Sequence, residues 1–138
     1  VRQLVVGDPP RRPSGPLTMA GGGRLSTHVL DTMHGGPAAG VRIVLRRLDG
    51  EAATVLRDVQ TNSDGRVDGG LLVGDDLHEG RYEIAFHVGD YFSARGVVLP
   101  DPPFLDVVPV RFAIADASGH YHVPLLASPW AYSTYRGS

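Results

Sequence analysis

Arg81-Tyr82-Glu83-Ile84-Ala85-Phe86-His87-Val88 is the stretch on which the fold turns. Its even positions are apolar and its odd positions largely polar, which is the period-two pattern of a strand with one buried face and one wet face. Working outward, Val41-Arg42-Ile43-Val44-Leu45-Arg46 alternates less cleanly, and Asp49-Gly50 predicts a hairpin into residues 54–61. Asn62-Ser63-Asp64-Gly65 marks the next turn. Val108, Val110, Phe112 and Ile114 share one parity, so residues 107–115 read as a strand, with Pro109 confined to an edge or a bulge because it lacks an N–H. Gly119 sets this strand apart from one beginning at His120, and Ser128-Pro129 precedes a last strand over 131–136. Seven or eight short strands are most economically packed as two antiparallel sheets, an all-β sandwich.

Composition agrees. With 138 residues and 42% hydrophobic content the chain suits one domain with its own core, and 18 glycines and 11 prolines favour turns over long helices. A net charge of −2 argues against a nucleic-acid partner, which usually leaves a basic surplus. All 13 basic residues are arginines, a bias of usage more than a sign of anion binding. The absence of cysteine excludes disulfides and thiolate metal sites. No apolar run approaches the roughly 18 residues that span a bilayer, and Leu4-Val5-Val6 is too short for a signal-peptide core, so the expectation is a cytoplasmic protein without membrane contact. Residues 1–24, with Pro9, Pro10, Pro13, Pro16 and Gly21-Gly22-Gly23, read as a flexible extension or linker ahead of a domain over 25–138.

Two blocks carry chemistry. Near the C-terminus, His120-Tyr121-His122 places two imidazoles two residues apart, on one face of a strand, and the chain closes on Tyr135, Arg136, Gly137 and Ser138. Near the other end stands Leu25-Ser26-Thr27-His28-Val29-Leu30-Asp31, followed by Gly36-Pro37-Ala38. Taken alone, His28 is most often a hydrogen-bonded structural histidine and Arg66, just past a turn, a solvated charge. His28, His120 and His122 would also satisfy the three-ligand count of a zinc hydrolase. His34, His78 and His87 stand near turns or on polar parities and read as surface residues. No Gly-x-Ser-x-Gly elbow, Walker loop or Gly-x-Gly-x-x-Gly fingerprint is present.

From Leu25 to Ser138 these blocks resemble the transthyretin-related 5-hydroxyisourate hydrolases. The resemblance implies a transthyretin-like two-sheet sandwich with one short helix, placed near residues 90–95. It implies a site made of His28, Arg66 (after Asn62 and Asp64-Gly65) and His122, with Tyr135, Arg136, Gly137 and Ser138 binding substrate and His120 supporting. It further implies a homotetramer, a dimer of dimers with sites in clefts between dimers, where a terminal segment that would otherwise fray is ordered by burial. The implied reaction opens the cyclic amide of 5-hydroxyisourate to 2-oxo-4-hydroxy-4-carboxy-5-ureidoimidazoline in urate catabolism, with no cofactor. An imidazole with a reference pKa of about 6.5 can accept a proton from water near neutrality, and a guanidinium can hold the developing oxyanion. The histidine pair would act together, with Arg136 and Ser138 positioning the ring edge. The competing reading is a hormone carrier of transthyretin type, which would share Leu125-Leu126-Ala127-Ser128-Pro129 and Tyr132-Ser133-Thr134 but gain nothing from His28, His122 and the terminal tetrapeptide.

Overall fold

The alternation at 81–88 becomes the middle of a sheet. In the computed structural model, which describes residues 22–137, Gly80–His87 (β6) turns Tyr82, Ile84 and Phe86 into the core. It pairs on one side with Arg42–Asp49 (β3) and on the other with Val107–Ile114 (β7), so that Ile84 lies opposite both Leu45 and Val110. Ala52–Gln60 (β4) completes the expected hairpin with β3, giving the order β4-β3-β6-β7. β7 is an edge, the place where Pro109 interrupts no interior ladder.

The facing sheet holds Gly36–Pro37 (β2), Arg24–Asp31 (β1), His120–Ala127 (β8) and Tyr132–Thr134 (β9) in that order, with Leu72–Val73 (β5) pairing at the start of β1. One pairing differs from the antiparallel expectation. β1 and β8 run parallel over their whole length, from Arg24 opposite His120 to Asp31 opposite Ala127. A parallel pair needs a long crossover, and here the entire second sheet and the helix supply it. The last strand is shorter than expected, three residues from Tyr132 to Thr134, after which the tail rejoins β8 through a bridge between Gly137 and His122. Residues 1–21 of the expected extension, and Ser138, lie outside the described residues. Gly23 and Arg24, within that extension, belong to the sandwich: Gly23 accepts a hydrogen bond from the Gly74 N–H, and Arg24 donates to the Gly119 carbonyl.

Leu25, Val29 and Leu125 from one sheet meet Ile43, Leu45, Ile84 and Phe86 from the other, all at most 1% exposed. Each such side chain contributes roughly 1.5–3 kcal/mol through burial. The helix Val88–Ala94 (α1) starts two residues ahead of the expected position, because Val88 and Gly89 are buried where β6 ends and Gly89 bonds back to Asp106. It seals one end of the core with Phe92.

Of the three histidines read as surface residues, His34 and His78 are exposed, and the His34 ring is bonded to the buried carboxylate of Asp31. His87 departs from the expectation: it is 19% exposed, with Nδ1 4.0 Å from Asp90, because it stands where β6 runs into α1.

Candidate functional site

Strand parity builds the site. In β1, Leu25, Thr27, Val29 and Asp31 face the core, which sends Arg24, Ser26 and His28 to the outer face. In β8, Tyr121, Val123 and Leu125 face inward, which sends His120 and His122 outward beside them. The parallel register then sets Ser26 directly across from His122, and His28 one step along, across from Pro124. Thr27, wholly buried, locks the pair of strands by donating its hydroxyl to the Val123 carbonyl at 2.7 Å.

Arg66 arrives from the turn after β4. Asn62 organises that turn: its side-chain oxygen accepts from the N–H groups of Asp64 and Arg66, and its own N–H donates to the Arg66 carbonyl. The turn is stitched to β1 by Val29 N–H donating to Gly65 O at 2.8 Å, which sets Arg66 in a bridge with His28. Gly65 has φ +75°, and a Cβ there would run into the Val29 carbonyl oxygen and crowd Ala38 N and Pro37. Gly65→Ala therefore combines left-handed strain with a backbone clash. It is expected to lower stability by about 2 kcal/mol or more, read as a fall in the thermal midpoint, and to displace Arg66 with a loss of turnover.

Arg24, Ser26, Arg66, His120, Tyr121 and His122 line a shallow outer recess of about 340 Å³. The His122 imidazole is held below its ordinary pKa by burial first, and then by repulsion from Arg66 and His28. Ser26 Oγ is hydrogen-bonded to His122 Nδ1 at 2.8 Å. On the other side of the ring, Gly137 donates its N–H to the His122 carbonyl at 2.7 Å, and a Cβ on Gly137 would stand 2.7 Å from His122 Cδ2. A second recess, of about 410 Å³, lies between Leu48, Arg81, Tyr82, Arg111 and Phe112, without a group that exchanges protons near neutral pH.

The expected residues are therefore only partly brought together. His28, Arg66, His122 and Gly137 converge, and His120 flanks them with its Nε2 on the Gly22 carbonyl at 2.9 Å. Tyr135 follows directly on β9 and is 60% exposed. Arg136 is directed elsewhere: its guanidinium stacks 4.2 Å from the Tyr121 ring and donates to the His120 carbonyl. Ser138 lies outside the described residues. Among the described residues no three His, Asp or Glu side chains gather as a metal ligand set, so His28, His120 and His122 do not form the zinc triad that their number allows. Sequence reading passed over Arg24 and Ser26; sharing the parity of His28 was the available signal, but only the β1–β8 pairing sets Ser26 against His122.

Residues 25–137 match the model of the HIUase/Transthyretin family. The chain is 62% identical over 120 residues to 5-hydroxyisourate hydrolase 2 of Rhizobium meliloti (strain 1021), covering 87% of this chain and 100% of that one. Its structure is similar to a crystal structure of (S)-allantoin synthase (TM-score 0.81, 48% identity, 86% of this chain and 45% of the other). It is also similar to the crystal structure of transthyretin from Sparus aurata (TM-score 0.73, 26% identity, 82% and 95%). Two sheets, one short helix and a family match over nearly all of the described chain lead to one assignment: the protein belongs to the HIUase/Transthyretin family.

Proposed function

We propose that the protein hydrolyses 5-hydroxyisourate, with His28, Arg66 and His122 as the reacting set. The observation that carries the reading is the gathering of His28, Arg66 and His122 on one open sheet face, where burial and then the neighbouring Arg66 and His28 lower the pKa of the His122 imidazole. A neutral imidazole accepts a proton from water as its oxygen bonds to the ring carbonyl carbon. The carbonyl electron pair moves onto oxygen, where the Arg66 guanidinium stabilises it. Collapse of that oxyanion breaks the C–N bond, and the nitrogen leaves with the proton that the imidazole had taken. The products contain one added water and nothing else, and the new carboxyl group ionises. Recess chemistry favours this substrate over an apolar hormone, since Arg24, Arg66, His120 and His122 offer hydrogen bonds to a planar polar heterocycle.

A shallow recess does not enclose a ligand. The reading therefore includes a tetramer in which a second dimer covers this outer face, with Tyr135, Gly137 and Ser138 beside the substrate and Arg136 turning from Tyr121 to meet it. The exposed Tyr135 ring is suited to such a contact.

The test follows ultraviolet decay of freshly generated 5-hydroxyisourate with chelator present, comparing the full chain with one lacking residues 135–138. The full chain is expected to accelerate decay strongly, and the shortened chain to fall to the spontaneous rate with unchanged β-rich circular dichroism. Decay at the spontaneous rate with the full, folded chain would overturn the function. Full activity in the shortened chain would overturn the role given to the tail.

A further inference from the structure

We infer that Ser26 is a positioning residue that sets the tautomer of His122, leaving its Nε2 lone pair facing the recess. The inference rests on the proposed role of His122 in the site. Imidazole connectivity and two contacts fix the ring. Nδ1 is turned toward β1, where Ser26 Oγ lies 2.8 Å away, and Cδ2 is turned toward the tail, where Gly137 leaves no room for a Cβ. The outer edge of the ring is then Cε1 and Nε2, directed away from the strand and into the recess that Ser26, Arg66 and His122 share. Among the described residues, Ser26 is the one side chain hydrogen-bonded to this ring.

A hydroxyl can either donate or accept, so the direction of the bond is decided by what faces the other nitrogen. If Ser26 donated, the ring proton would sit on Nε2 and point into a recess lined by Arg66, whose charge already acts on the ring, cation against N–H. If Ser26 accepts, the proton sits on Nδ1 and the Nε2 lone pair faces the Arg66 side of the recess, which is electrostatically favoured. The second arrangement is also the one a base requires. The neutral character of the partner has its own consequence. A carboxylate at Nδ1 would stabilise the imidazolium and raise the basicity of the ring, whereas a hydroxyl fixes its orientation without adding charge. That agrees with the downward displacement of His122. Ser26 therefore orients the base, while burial, Arg66 and His28 lower its pKa, and the role of Ser26 is assigned by the strand register and not by contact with the reacting carbonyl.

Nitrogen-resolved NMR of the His122 ring, together with the pH dependence of kcat and KM, tests this on the full chain and its Ser26→Ala and Ser26→Thr variants. The wild type is expected to carry its ring proton on Nδ1. Ser26→Ala is expected to shift the ring toward the Nε2–H form and to lower kcat by roughly 10- to 100-fold, the usual cost of losing a partner that orients a histidine, with a smaller change in KM. Ser26→Thr keeps the hydroxyl and suits a strand, so it is expected to restore the tautomer and most of the rate. A wild-type ring protonated on Nε2 overturns the proposal. So does a Ser26→Ala loss of rate without a change of tautomer, which would mark a merely structural residue. Failure of the wild type to hydrolyse 5-hydroxyisourate would instead overturn the functional reading, and the tautomer result would still stand by itself.

Discussion

Replacing His122 by alanine is expected to lower kcat/KM by about 10²- to 10⁴-fold while leaving the sandwich folded, because it removes the proton acceptor and little of the core. His122 is half-buried on the outer sheet face, and its neighbours Tyr121 and Val123 make the inward contacts that hold β8 in place. The same residue sets the pH dependence. Burial, then Arg66 and His28, hold its pKa below the ordinary histidine value, so protonation removes the base only at a pH below about 6.5. The acid limb of kcat/KM should therefore lie on the acid side of that value. In Arg66→Gln one of the repelling charges is gone, and the limb should move upward in pH as well as the rate falling. Stopped-flow decay of 5-hydroxyisourate across pH 5–8 reads both effects. A limb that stays fixed in Arg66→Gln would show that another group titrates.

The sandwich was legible because its strands announce themselves locally. Tyr82, Ile84 and Phe86 alternate with polar residues, and Asp49-Gly50 closes the hairpin between β3 and β4, so neither depends on distant parts of the chain. The parallel pairing of β1 with β8 has no such signal. Strands that lie nearly the whole chain apart carry no turn between them, and their register is fixed only when both sheets close on one core. That pairing is what puts Ser26 against His122, which explains why a serine with the right parity went unnoticed while the family resemblance singled out His28 and His122. Arg136 is the converse case. The family resemblance implied substrate binding there, and in the single chain the alternation that sets Gly137 against His122 sends the Arg136 side chain to Tyr121. His34 is a surface residue as expected, but its bond to Asp31 had no signal, because Asp31 sits at a core-facing position of β1.

Asp31→Ala is expected to lower stability by about 3 kcal/mol, because it removes a buried carboxylate around which three elements are tied. The side chain is 1% exposed. One of its oxygens accepts the His34 backbone N–H at 2.9 Å, and the other is bonded to the His34 ring and accepts the Tyr91 hydroxyl at 2.8 Å. Arg95 reaches the same carboxylate at 3.7 Å and donates to the Tyr91 hydroxyl at 2.8 Å. Without Asp31 the hydroxyl of the buried Tyr91 would lose its acceptor, while His34 and Arg95, both exposed enough to turn to water, would lose less, which places the loss at the low end of the range for broken buried pairs. For a domain of this size that is a fall of roughly 10 °C in the thermal midpoint.

The sign with pH follows from opposing terms. Burial alone would push Asp31 upward, but the bonds from His34 and Tyr91, with the charge of His34, outweigh it and leave the carboxyl below its ordinary value. A carboxyl depressed in the folded state stabilises above its unfolded pKa, near 4, and loses that contribution as pH falls through the folded value. The gap between wild type and Asp31→Ala should thus be full near neutrality and should shrink below about pH 4. Thermal melts from pH 3 to 8 measure it, and a gap independent of pH would assign the loss to packing alone. Turnover of the variant well below its midpoint should stay near wild type, because Asp31 faces the core while Ser26 and His28 of the same strand face the recess.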